Sequence, residues 1–197
     1  MSLQYSVTDR NNRLLQTVSD LGSTPVFNIF TGSPPANCAA AATGTQLSSH
    51  NGSNPVGSVT GGVLTFSAIA NGTGLANGTA GYFRGMNGAT CVVQGTVFPT
   101  VVQNLSTTAT GNNSNVLNLL SVSGLQIGMA ASGTGIPVGA VILGISGANV
   151  SLSMACPSGV AASTQITFGG DISLNSVNIS TGQTVSITGG TIIASGA

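Results

Sequence analysis

The chain has 197 residues, enough for one large or two small domains, and only 3% of them are charged, against about a quarter in ordinary globular proteins. Three Lys+Arg, all arginine, balance three Asp+Glu to a formal net charge of zero. That balance excludes the basic footprint of a nucleic-acid partner and electrostatic capture on an anionic membrane, since both need clustered Lys and Arg. With so little like-charge repulsion to keep copies apart, much of the surface is expected to be covered by other subunits. No membrane partner is expected from hydropathy either. The longest apolar runs, such as "AVILGI" from Ala140, fall far short of the ~20 residues that span a bilayer. The N-terminal "MSLQYSVTDRNNRLL" lacks an apolar core of signal-peptide length, so cytosolic synthesis without Sec export is expected.

The first element in chain order reads as a helix. In "TDRNNRLLQTVSDLG", Leu14, Leu15, Val18 and Leu21 recur at helical spacing, Thr8 or Asp9 is placed as N-cap, and Gly22 as the stop. Four of the six charged residues lie here: Asp9, Arg10, Arg13 and Asp20. The apolar face is expected to pack on the domain's own sheet, with docking on a partner as the alternative. Everything after it reads as short strands and turns. "PVFNIFTG" from Pro25 is a strand, "SPPANCAAAATG" a Pro- and Ala-rich loop, and "TQLSS" from Thr45 a short strand. "HNGSNPVGSVTGG" reads as a loop, "GVLTFSAIA" as a strand, and "NGTGLANGT" as turns. "AGYFRGMNG" and "TCVVQGTV" read as paired strands joined through "NGAT".

After Phe98, "PTVVQNLSTTATGNNSN" reads as a polar connection. A second β-rich stretch then runs from Val116 to Phe168, and alternating strands return from "GGD" at Gly169. Many short strands between Gly- and Asn-rich turns predict an all-β fold, a jelly roll or β-sandwich with one N-terminal helix. The expected domains are 1–98 plus 169–197 as host and 99–168 as an inserted β-module. The low-complexity end "GGTIIASGA" is expected to be held in place by neighbouring molecules.

No segment assembles a catalytic, cofactor or metal site. Gly133, Gly135 and Gly139 cluster as in phosphate-binding loops, but the chain has no lysine for a Walker loop. Pro137 and "AVILGI" follow, which favour a strand where a dinucleotide loop needs a helix. These glycines read as turn residues. The three carboxylates, Asp9, Asp20 and Asp171, offer no pair for glycosidic chemistry, because two of them lie on the helix. His50, the only histidine, falls in the expected loop "SSHNGSNP" and reads as solvated or backbone-bonded, not as part of a Ser-His-Asp triad. Cys38, Cys91 and Cys156 form no CxxC or Cys/His cluster and no disulfide framework. Cys38 and Cys91 read first as small buried hydrophobes and second as a pair. Arg84, alone in its strand, is left with two readings, a pair with Asp171 or a contact with a neighbour.

Three strings carry a resemblance. "TGSPPANCAAAATGTQL" (31–47), "GTAGYFRGMNGATCVVQGTV" (78–97) and "GDISLNSVNISTGQTVSITGGTI" (170–192) together resemble a family of small tailed-phage virion proteins. Members of that family with known roles look like capsid cement, or decoration, proteins with a jelly-roll-like core. In its shorter members the "QGTV"-type strand leads almost directly into the "GD" segment. The intervening stretch "GLQIGMAASGTGIPVGAVILGISGANVSLSMACPSG" is similar instead to a β-module of phage tail and fibre proteins. The resemblance implies a non-enzymatic structural protein that binds and stabilises the capsid shell from the virion exterior after synthesis in the host bacterial cytoplasm. Its implied partners are the major capsid protein and copies of itself, as dimer or trimer, with no cofactor. The alternative is a tail or fibre component contacting host-surface glycans; the scarcity of aromatic residues, 4%, weighs against a sugar platform.

Overall fold

A computed structural model describes residues 5–106 and 110–194. The protein is all-β with one N-terminal helix and divides into two compact units, Met1–Phe98 with Asp171–Ala197, and Pro99–Gly170. The second unit ends two residues beyond the expected 168. The reason is local: Gly169 is still in a strand there and pairs with Ala130.

In the first unit, helix α1 spans Val7–Leu21. Its N-cap is Ser6, not Thr8 or Asp9. The Ser6 hydroxyl accepts from the Asp9 backbone N–H at 3.1 Å and donates to the Asp9 carboxylate at 2.9 Å, so donor and acceptor are satisfied reciprocally at the first turn. Gly22 closes the helix at φ 72°, as its placement as the stop predicts. Leu14 and Leu21 are buried and Val18 is half-buried against the sheet, whereas Leu15 points to solvent. The apolar stripe is therefore one residue narrower than the sequence implied.

The strands of this unit are β1 (Val26–Thr31), β2 (Gln46–Asn51), β3 (Gly57–Thr60), β4 (Val63–Phe66), β5 (Gly72–Thr73), β6 (Gly78–Asn87) and β7 (Thr90–Pro99). After the second unit come β14 (Ile172–Leu174), β15 (Asn178–Ile179), β16 (Thr184–Val185) and β17 (Ile187–Ile193). One nine-stranded sheet runs β2-β1-β6-β7-β14-β17-β4-β3, with β15 also on β6, and β16 pairs separately with β5. The β6–β7 hairpin expected from "NGAT" is present, in the register Tyr82↔Thr96, Phe83↔Gly95 and Arg84↔Gln94.

Alternation along β1 and β6 sorts their side chains between two faces. Phe27, Ile29 and Phe83 go to the core with Leu21, Leu47, Val97, Ile172 and Val185. Phe27 meets Phe66 edge-on at 5.1 Å between ring centroids. Phe30 and Tyr82 stack at 5.1 Å on the other face. The expected loop "HNGSNPVGSVTGG" is corrected at two places. His50 and Asn51 belong to β2, because His50 is held in register opposite Phe27, and "GSVT" forms β3 against β4. "GVLTFSAIA" conversely pairs only through Phe66. The tail of "GGTIIASGA" pairs within the unit's own sheet up to Ile193, and residues 195–197 lie outside the described residues.

The second unit contains strands β8 (Val101–Asn104), β9 (Ser114–Asn118), β10 (Ala130–Ser132), β11 (Ile142–Ser146), β12 (Asn149–Cys156) and β13 (Gln165–Gly169). They form two three-stranded sheets, β10-β13-β8 and β11-β12-β9. The stretch expected as a polar connection thus supplies β8 and the start of β9; part of it, 107–109, lies outside the described residues. Leu105, Leu117, Met129, Ile142, Val150, Leu152, Ile166 and Phe168 are among its buried side chains. Entry and exit lie side by side, since Val101 pairs with Phe168.

Candidate functional site

The face of the first sheet that carries Tyr82, Arg84 and Gln94 supports an unusual loop. Residues 32–44, "GSPPANCAAAATG", leave β1 and return to β2 with no strand of their own. At the base, Thr31 N–H donates to the Thr45 carbonyl at 3.0 Å and Thr45 N–H to the Thr31 hydroxyl at 2.9 Å. Further out, the Tyr82 hydroxyl donates to the Thr43 carbonyl at 2.5 Å and accepts from the Thr43 N–H at 2.8 Å. Gln94 Nε2 donates to the Pro35 carbonyl at 2.6 Å. Arg84 Nη2 donates to the carbonyls of both Cys38 and Ala40. Finally Cys38 is joined to Cys91 of β7 by a disulfide.

These anchors settle two readings. Cys38 and Cys91 are a pair, not separate buried hydrophobes; the β6–β7 hairpin brings position 91 beneath the loop, and no local spacing could have signalled it. Arg84 does not pair with Asp171. Its guanidinium, in a residue only 6% exposed, is turned to loop carbonyls. Asp171 instead accepts from the Thr96 N–H at 2.8 Å and the Thr96 hydroxyl at 3.0 Å. Arg84 Nε and Gln94 Oε1 are buried without a hydrogen-bond partner. A buried cation facing carbonyls and an orphaned acceptor are poor devices for stability. What they achieve is the fixed position of a loop.

What the loop presents is small and mostly apolar: Pro34, Ala36, Ala39, Ala41 and Ala42 are exposed, with Ser33 and Asn37 between them. Few rotamers are frozen when such a surface is covered, and a loop already fixed has little backbone entropy left to lose.

The remaining candidates are dispersed. His50 is buried in β2, with Nε2 2.9 Å from the Ser48 hydroxyl and Nδ1 3.1 Å from the Ala70 carbonyl. Burial lowers its pKa below the ordinary 6.5, and the Ala70 carbonyl opposes that shift. Its hydrogen bonds go to Ser48 and Ala70, not to Asp171. Asp9 accepts from the Ser6 hydroxyl in the first turn of α1, and Asp20 accepts from Gln16 on the same helix at 2.7 Å. Cys156 is a buried free thiol whose pKa is raised by burial.

Gly135 and Gly139 occupy turns at φ 83° and 86° between β10 and β11. A Cβ at Gly135 would stand 2.7 Å from the Gly159 carbonyl, so close backbone packing as well as the turn requires glycine there. Pro137 accepts from the Ala140 N–H at 3.2 Å, and "ILGIS" follows as β11. Among the described residues no three His, Cys, Asp or Glu gather as a metal site, and no helix is long and apolar enough to cross a membrane. No protein-family model, curated protein or solved structure matches this chain.

Proposed function

We propose that the protein is a structural component of a bacteriophage virion, a cement or decoration protein that binds the assembled capsid shell from outside and stabilises it. The observation that carries this reading is the tethered loop 32–44: side chains from β6 and β7 and a disulfide hold a surface of small residues that the domain's own core does not need. Prefixed loops on rigid sheets are where binding surfaces are built. The three strings that resemble tailed-phage virion proteins include this loop and the hairpin that anchors it, and the β-rich first unit is consistent with a jelly-roll-like core. The near absence of charge fits a protein that works through contact area, with the major capsid protein and with its own copies as dimer or trimer. A ligand that binds only the assembled shell stabilises it by mass action.

The test is a cryo-EM map of particles carrying the protein, together with thermal rupture of particles lacking it. Lattice-wide density on the capsid exterior and earlier rupture without the protein are expected. Density confined to the tail, or unchanged rupture, would refute the reading.

A further inference from the structure

We infer that the outer face of the β11-β12-β9 sheet in the second unit is a homotypic contact, at which one copy of the chain meets the same face of another. The inference deepens the self-association within the proposed function by assigning it a surface. Residues 99–170 contain no Asp, Glu, Lys, Arg or His. All six charged side chains of the protein lie in the first unit. Yet six of the nine exposed large hydrophobic residues among the described ones, Val116, Ile127 and Leu143 included, lie in the second.

Pairing places three of them together. Val116 on β9 pairs with Ser151 on β12, and Ser151 pairs with Gly144 on β11. Leu143 stands in the bulge beside Gly144. Ile127 adjoins it, because the N–H of the next residue, Gly128, donates to the Ile142 carbonyl at 2.9 Å. The opposite face of the same sheet carries Leu117, Ile142, Val150 and Leu152, all buried. The sheet is thus apolar on the inside and interrupted on the outside only by neutral groups such as Ser151 and the hydrogen-bonded Asn118–Asn149 pair.

The charge pattern selects the occupant. A partner with ordinary surface charge would lose hydration there and find no counter-charge to replace it. In a twofold contact, residues near the axis face their own copies, so a charge would meet a like charge. Serine and asparagine both donate and accept, so a surface of Ser, Asn, Val and Leu can face itself without either penalty. Three strands about 4.8 Å apart offer on the order of 300 Å². A standard interface covers about 800 Å² per partner, so this contact is a weak one, and association in the upper micromolar range is expected.

The test uses the full chain in sedimentation velocity from about 1 µM to about 1 mM. Wild type should self-associate within that range, and Leu143→Asp or Val116→Asp should weaken association by about tenfold or more with an unchanged melting profile. Leu75→Asp, at an exposed position of the first unit, should leave association as in wild type. Mixing Leu143→Asp with Leu143→Arg should restore it, which only a self-facing surface predicts. A wild-type monomer throughout would overturn both the surface and self-association. Association that survives the Asp substitutions, or a mixture that fails to recover, would overturn the surface alone. No capsid is present in the assay, so capsid binding stands or falls separately.

Discussion

The Cys38–Cys91 disulfide offers the sharpest measurement of what holds the first unit together. The two cysteines are 53 residues apart, and the closed segment includes β2 through β6. Closing a loop of that length removes unfolded-chain entropy worth about 4 kcal/mol at 25 °C in the chain-entropy model. The folded state loses little when the bond is cut, because Arg84, Tyr82 and Gln94 still hold the loop. Reduction, or the double substitution Cys38→Ser with Cys91→Ser, should therefore lower the melting temperature of the first unit by about 10 °C or more. Calorimetry of oxidised and reduced protein checks it, with alkylation and mass measurement to verify the redox state. Cys156, buried in the second unit, provides an internal contrast, because its transition should not move. A first-unit transition that shifts by less than about 2 °C would refute the argument, since the unfolded chain would then gain almost nothing from release.

Stability should also fall on the acid side through His50. Its native pKa is lowered by burial, so the unfolded chain binds the proton first. The stability present above the unfolded value of about 6.5 is lost as pH drops through it towards the lower native value. Urea titrations from about pH 8 to about pH 5 should show that loss, and His50→Gln should flatten it. Phe27→Ala, which empties the position between Phe66 and Phe83, should cost about 3–5 kcal/mol, whereas exposed Leu15→Ala should stay within about 0.5 kcal/mol in the same denaturation assay. At Gly81 a Cβ would land on the Gly32 carbonyl oxygen, so Gly81→Ala should destabilise the first unit by about 1–3 kcal/mol and speed amide exchange across 32–44.

The parts of the fold that were legible are those governed by short-range pattern. Helix α1 followed from Leu14, Val18 and Leu21, and the β6–β7 hairpin from its Asn-Gly turn. The cap was misplaced because Thr8, Asp9 and Ser6 are all capable residues, and the choice rests on the reciprocal bonds that Ser6 makes with Asp9. His50 looked like loop because turn residues crowd behind it; the pairing partner that keeps it in β2, Phe27, is remote in sequence. The tethered loop was visible as a composition, Pro- and Ala-rich, but its anchors were not. Tyr82, Arg84, Cys91 and Gln94 act on it only because β6 lies beside β1 and β7 beside β6. The sequence leaves Arg84 between Asp171 and a neighbour because the first alternative matches isolated charges, whereas a backbone carbonyl or amide satisfies each as well.

The neighbouring ends of the second unit have a consequence for how such a chain can change. Val101 and Phe168 are cross-strand partners, and in the first unit β7 and β14, the strands on either side of the break, are hydrogen-bonded neighbours. The chain therefore leaves one sheet and re-enters it at nearly the same place, and whatever lies between must only bring its ends together. Because the second unit pairs its own ends, each doubling of an insert's length adds only about 0.6 kcal/mol of closure entropy. The position behaves as a splice point: a segment can be gained, dropped or exchanged there without shifting the register of the host sheet. Selection can then act on the two units independently, with the tethered loop kept and the charge-free unit replaced.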